Sequence, residues 1–269
     1  MAKPNLSSDP VPAVDASTVI VARDGASGIE VLMLERHIES DFVGGAYVFP
    51  GGKTDTSDRL EASLWSGIDL EVESRRMGVT ADSALRLYVA AVRETFEEGG
   101  LLFATRGGES VSGVVAAGAS FTEARHRLNE RGSRWDWSEW LAAEGLVLDL
   151  GALAWWSWWV TPKGVHRRFD TRFFIARAPE GQEAAHDQIE TVHSVWTTPA
   201  GALAAAAEGR ATVIFPTRKT LELLDEFRST QDAINWAAGQ TPPRIEPEIA
   251  REGERFVVRH ELFGSTDEM

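Results

Sequence analysis

The sequence contains no cysteine. That absence excludes disulfides, thiolate metal sites and thiol nucleophiles, so a bound metal must take oxygen or imidazole ligands. Positive charge is also short: 27 Lys and Arg stand against 41 Asp and Glu, for a formal net charge of −14. A general nucleic-acid-binding surface needs a basic face, and this composition argues against one. An anionic substrate would require local basic residues or bound cations to overcome the global repulsion. No run approaches 18 consecutive apolar residues, so no membrane span is expected. The opening MAKPNLSSDPVPAVDAS is polar and lacks the apolar stretch of a secretory signal, so a cytoplasmic protein is expected. Gly-x-Ser-x-Gly, P-loop and His-Glu-x-x-His patterns are absent, as are internal repeats.

What is present suffices for a core. Of the 269 residues 43% are apolar and 25% charged, ordinary values for a globular protein. Residues 1–16 read as a flexible lead-in, and 17–269 as one elaborated domain with inserted stretches near 53–79 and 105–150. Thr18–Ala22 and Glu30–Arg36 read as a β-hairpin, followed by a turn-rich loop around Gly44-Gly45 and Pro50-Gly51-Gly52. Leu101–Ala104 reads as a short strand, and 121–131 and 137–143 as helical. Strands are expected over 154–161, 169–177 and 190–197, helices near 199–208 and 217–228, and a last strand over 255–263. The irregular order of strands and helices predicts an α+β fold, with helices around a mixed sheet.

The sharpest local signal is a helix beginning at Thr80 or Asp82 and stopped by Gly99-Gly100. Leu85, Val89, Val92 and Phe96 form its apolar stripe, while Glu94, Glu97 and Glu98 share another face. Three carboxylates at the C-terminal end of a helix oppose its dipole, each at a cost of about 0.3–1 kcal/mol. Arg93 supplies one compensating charge. On spacing alone, a solvated acidic face and a site for Mg²⁺ or Mn²⁺ account for the pattern equally well.

Arg93-Glu94-Thr95-Phe96-Glu97-Glu98-Gly99-Gly100-Leu101 resembles the second half of the Nudix box, with Thr95 in an apolar slot. Pro50-Gly51-Gly52 is similar to the opening turn of that box, and Asp58 stands where the family has Glu. Thirty-four residues separate Asp58 from Arg93 where the family has seven. Such an interrupted box resembles the coenzyme A and acyl-CoA diphosphatase branch. So do Trp158-Trp159-Val160-Thr161-Pro162 and Arg168-Phe169-Asp170-Thr171-Arg172-Phe173-Phe174. The resemblance covers roughly residues 17–228.

The resemblance implies a Nudix-like mixed sheet sandwiched between helices and a metal-dependent hydrolase acting on a nucleotide diphosphate. Glu97 and Glu98 would be the main metal ligands, Glu94 a further ligand or base, and the Gly51 or Gly52 carbonyl would complete the shell. Arg93 would orient a glutamate. A general base six residues before Trp196 would be Glu190. Arg36, ending a strand before the Phe49-Pro50-Gly51-Gly52 turn, would lie near the phosphates.

Lys163, His166, Arg167 and Arg168 form the densest basic cluster, read either as a clamp for the 3′-phosphate end of CoA or as a solvated hairpin. In a strand, alternation sets Trp155 and Trp159 on one face and Trp156 and Trp158 on the other, with core packing favoured over adenine stacking. ADP-ribose, NADH and nucleotide-sugar substrates remain open, as does a non-catalytic ligand sensor. Many members of the family dimerise, so a homodimer is one expectation that the sequence does not decide.

Overall fold

The computed structural model describes residues 11–36, 45–130, 135–186, 191–252, 255–263 and 267–268. Strand β1 (Val14–Gly25) turns at Ala26-Ser27 into β2 (Gly28–Arg36), and the short strands β3 (Tyr47–Val48) and β4 (Gly51–Lys53) follow. Strand β5 (Trp65–Ser66) and helix α1 (Leu70–Met77) lead to the long helix α2 (Ala81–Gly99). Next come β6 (Ala104–Arg106), β7 (Glu109–Ser110), α3 (Gly113–Ala116), α4 (Ala119–Asn129), α5 (Trp137–Ala143) and β8 (Leu146–Asp149). The chain returns through β9 (Ala154–Val160), β10 (Phe169–Arg177) and β11 (Thr191–Thr197). Helices α6 (Pro199–Ala207), α7 (Phe215–Leu224) and α8 (Thr230–Ala238) precede β12 (Arg244–Ile245). A separate small sheet contains β13 (Glu248–Glu252), β14 (Arg255–Arg259) and β15 (Asp267–Glu268).

The main sheet runs β11-β2-β1-β10-β9-β12, with β3 on β2 and β4 on β1. Strand β1 is its spine. It pairs in parallel with β10 from Val14 to Ala22, while its other edge is shared by β4 at Ala16–Thr18 and β2 at Ala22–Gly25. Both faces are covered, so successive residues of β1 serve two cores: Val19 and Val21 face one, Ile20 and Ala22 the other. Helix α2 packs on the first face and α7 and α8 on the second, the expected α+β sandwich. Among the described residues, no helix is long and apolar enough to cross a membrane.

The two inserted stretches form one layer. Trp65 and Ser66 of β5 pair in parallel with Leu148 and Asp149 of β8, giving a second sheet of order β5-β8-β6-β7. Leu60, Met77, Phe121, Trp137 and Leu148 from this layer join the core beneath α2. The 59–80 stretch therefore caps the fold across α2. As a result α2 is buried nearly all round, with Arg93 and Glu98 among its buried residues.

Other expectations need adjustment. The lead-in is shorter than read, because Val14–Ala16 already belong to β1. Helix α8 has too few bulky apolar residues for its period to stand out, and Ser229 caps it from outside. The last strand stops at Arg259, and residues 261–263 form a turn. The tryptophan run is distributed differently: an irregularity opposite Phe173/Phe174 skips Trp156 in the pairing with β10. Trp155 and Trp158 consequently share one face, with ring centroids 6.1 Å apart, while Trp156 and Trp159 lie in the opposite core.

Candidate active site

The interrupted motif closes in space. Asp55 caps a short 3-10 turn (Thr56–Asp58) by accepting the Ser57 N–H at 2.9 Å, and the Asp58 carboxylate accepts the Asp55 N–H at 2.6 Å. Asp58 is wholly shielded from solvent. Arg93 reaches it with two donors, Nε to Oδ1 at 2.7 Å and Nη2 to Oδ2 at 3.1 Å. Arg93 Nη2 also donates to the Lys53 carbonyl at 2.9 Å, so one guanidinium ties together both ends of the 53–58 loop. The intervening residues loop outward into the capping layer and α2 returns Arg93 to its partner. Asp58 is thus part of the site's frame.

Arg93 does more than hold the loop. Its Nη1 donates to Glu94 Oε1 at 2.8 Å and to Glu97 Oε2 at 3.3 Å. Burial works against the charge on Arg93, yet Glu94, Asp58 and Glu97 outweigh it and hold the guanidinium well above its ordinary value. Burial pushes the Asp58 carboxyl up, and Arg93 pulls it partway back. With two charge-assisted bonds and a backbone N–H on its oxygens, Asp58 remains the anionic half of the pair.

The third carboxylate faces the glycine turn. Gly51 N–H donates to Glu98 Oε2 at 2.9 Å. Gly52 lies directly against the Glu94 carboxylate, and a Cβ at this position would collide with it. The glycines permit a close approach here; neither needs a left-handed backbone. Strand β4 fixes both, because Gly51 and Gly52 pair with Thr18 and Ser17 of β1. Ser17 Oγ in turn donates to the Leu87 carbonyl of α2 at 2.6 Å, which locks the helix to the same strand. Thr95, in the apolar slot, is fully buried and donates its hydroxyl to the Ala91 carbonyl at 2.7 Å.

Among the described residues, no three Asp, Glu or His side chains converge as a ready-made metal cage. The donor set nevertheless fits a hard divalent cation. Oxygen ligands are concentrated on one turn, a Cα stands where a side chain would block Glu94, and the three carboxylates of Asp58, Glu94 and Glu97 share the Arg93 cation. Mg²⁺ commonly takes one or two protein carboxylates and completes its shell with water and substrate phosphates.

Two features of the helix end escaped the sequence reading. Arg125 of α4 donates from Nε to the Glu97 carbonyl and from Nη2 to the Glu98 carbonyl, both at 2.8 Å. Asn129 Nδ2 adds a bond to the Glu97 carbonyl at 3.4 Å. No local pattern announces a side chain that recognises the backbone of another element.

The remaining candidates are dispersed. Arg36 ends β2, its N–H donating to the Ala46 carbonyl at 3.0 Å. Glu190 lies outside the described residues. Arg167 and His166 are exposed on the hairpin between β9 and β10. Arg168 is spent on protein acceptors, with bonds to the carbonyls of Thr161, Pro162 and Val11 and to Glu246. It braces the hairpin.

A family model described as the NUDT19 Nudix domain matches residues 70–218, more than half the chain. Acyl-coenzyme A diphosphatase NUDT19 of Xenopus laevis is 29% identical over 221 residues, covering 67% of this chain and 56% of that protein. The human protein of the same name is 26% identical over 254 residues, covering 82% and 67%. This chain thus spans a little over half the length of the Xenopus relative. The crystal structure of a NUDIX hydrolase from Alicyclobacillus acidocaldarius matches with a TM-score of 0.68 at 30% identity, covering 84% of this chain and 96% of that one. A buried Arg93–Asp58 pair, Glu94 and Glu98 set against a glycine turn and these similarities lead to one assignment: the chain belongs to the NUDT19 Nudix domain family.

Proposed function

We propose that this chain hydrolyses the diphosphate linkage of a nucleoside-diphosphate derivative, with CoA or acyl-CoA as the preferred substrate. Cleavage gives 3′,5′-ADP and phosphopantetheine or its acyl form. The observation that carries the reading is the closure of Asp58 onto Arg93, whose guanidinium also holds Glu94 and Glu97 while Glu98 accepts the Gly51 N–H, despite the interrupted motif. The substrate class rests on family membership and on the names of the curated relatives.

Glu97 and Glu98 are assigned as the main ligands of Mg²⁺ or Mn²⁺, with Glu94 and the Gly52 carbonyl as further donors. A bound divalent ion neutralises phosphate oxygens and lowers the pKa of coordinated water. The chain's own residues supply orientation. Arg93 restrains the Glu94 and Glu97 carboxylates, and the Gly51 N–H fixes one oxygen of Glu98. Water adds to one phosphorus, the bridging P–O bond breaks, and the departing phosphate takes the electron pair. Glu190 is assigned as the base that takes the water's proton, on its position six residues before Trp196. Arg36 and Arg167 are assigned to the substrate's phosphates.

The experiment is direct. The purified protein is incubated with CoA, acetyl-CoA, ADP-ribose, NADH and UDP-glucose, with Mg²⁺ or Mn²⁺, and products are identified by mass. CoA or acetyl-CoA should yield 3′,5′-ADP. Turnover of ADP-ribose but not of CoA contradicts the substrate assignment, and turnover of none contradicts the hydrolase.

A further inference from the structure

The last four carbonyls of an α-helix have no partner within the helix. In α2 they belong to Phe96, Glu97, Glu98 and Gly99, the stretch that carries two of the proposed metal ligands. Every one of them is satisfied. Gly100 N–H donates to the Phe96 carbonyl and Ala185 N–H to the Gly99 carbonyl, each at 3.0 Å. The two carbonyls between them are taken by Arg125, which also donates to the Ala185 carbonyl.

This end of the helix is one that ought to fray. It carries carboxylates where the dipole favours cations, and it ends in Gly99 with the left-handed Gly100 as its cap. A guanidinium answers both difficulties. It places a cation at the negative pole, and its planar fork spans adjacent carbonyls in a way that a lysine ammonium does not. Arg125 is itself well anchored. Its neighbours Phe121 and Ala124 are buried, and Phe121 packs edge-on against Phe96 with ring centroids 6.3 Å apart. Trp140 stacks on the same Phe96 ring at 5.8 Å.

We propose that Arg125 is a positioning residue for the metal-binding turn, and that the inserted 105–150 layer serves the site by delivering it. Arg125 holds the Glu97 and Glu98 carbonyls and so fixes the Cα positions from which those side chains project. This inference rests on the metal-site assignment made above.

The test is Mn²⁺ binding, read as free Mn²⁺ by electron paramagnetic resonance, for wild type, Glu98→Gln, Arg125→Met and Arg125→Gln. Metal-free melting is followed by circular dichroism. Loss of a group that orients a metal ligand should raise the Mn²⁺ Kd by about tenfold. Both Arg125 variants are expected to show this, and Arg125→Gln stands in if Arg125→Met does not fold. A folded Arg125 variant with a wild-type Kd and only a lower metal-free Tm overturns the proposal, because it makes Arg125 a structural cap alone. Equal Mn²⁺ binding by wild type and Glu98→Gln, or none by wild type, overturns the metal site itself. Loss in Glu98→Gln with no loss in either Arg125 variant overturns only the positioning role.

Discussion

Arg93 donates from Nε to Asp58 at 2.7 Å, across 35 residues of sequence and with Asp58 entirely out of solvent. This pair lets the motif tolerate its interruption. The extra residues leave and return at two points that the ion pair holds together. Removing one partner strands a buried charge, which typically costs about 3–5 kcal/mol. Asp58→Ala should therefore lower the urea midpoint strongly, and Arg93→Met should do the same. The double variant should cost much less than the sum of the two. Additive losses in the cycle contradict the pairing.

Gly52 offers a cleaner separation of stability from function. Its backbone is not left-handed, so alanine is tolerated there, and the obstacle to a Cβ is the tip of the Glu94 side chain. Gly52→Ala should move that carboxylate at little cost in Tm. Turnover is expected to fall by about 10²-fold, the scale of a misplaced catalytic group. An unchanged rate at an unchanged Tm removes Glu94 from the site.

Metal linkage gives a prediction independent of substrate. A ligand that binds only the folded state stabilises by about 2.7 kcal/mol at a hundred times its Kd. Mg²⁺ should raise the Tm of wild type more than that of Glu98→Ala. Equal shifts mean that the carboxylates form a solvated acidic patch.

A pH prediction falls away from the site. The Asp24 carboxyl accepts the Thr230 N–H at 2.7 Å and an Arg177 donor at 2.9 Å, and these hold it below its ordinary value. A depressed carboxylate contributes stability above its unfolded pKa of about 3.9 and loses it as the pH falls through the lower folded value. Asp24→Asn should be less stable than wild type near neutral pH, with the gap closing below about pH 4. A gap that does not narrow as the pH falls below about 4 contradicts the linkage.

How far the sequence reaches depends on the range of the interaction. Glu94, Glu97 and Glu98 were legible because helical period is local, and the β1–β2 hairpin was legible because turn and strand signals are adjacent. The bond between Asp58 and Arg93 was not, since the partners lie 35 residues apart and the segment between obeys no family spacing. Arg125 was invisible for a different reason: it binds backbone carbonyls, which every residue possesses. The faces of Trp155, Trp156, Trp158 and Trp159 were misread because strict alternation fails where the pairing with β10 skips Trp156. The burial of α2 on nearly all sides was not legible, because nothing in 59–80 and 105–150 reveals that the two stretches pair and cover the helix.

The account stands on the carboxylates of α2. The decisive measurement is the steady-state rate of 3′,5′-ADP release from CoA at saturating Mg²⁺, for wild type, Glu97→Gln and Glu98→Gln, each confirmed as folded. The isosteric amides keep the shape and remove the charge, so kcat should fall by at least about 10²-fold in both, the scale on which removal of a single charge-stabilising group acts. Rates in either variant close to that of wild type would contradict the claim that these glutamates run the reaction.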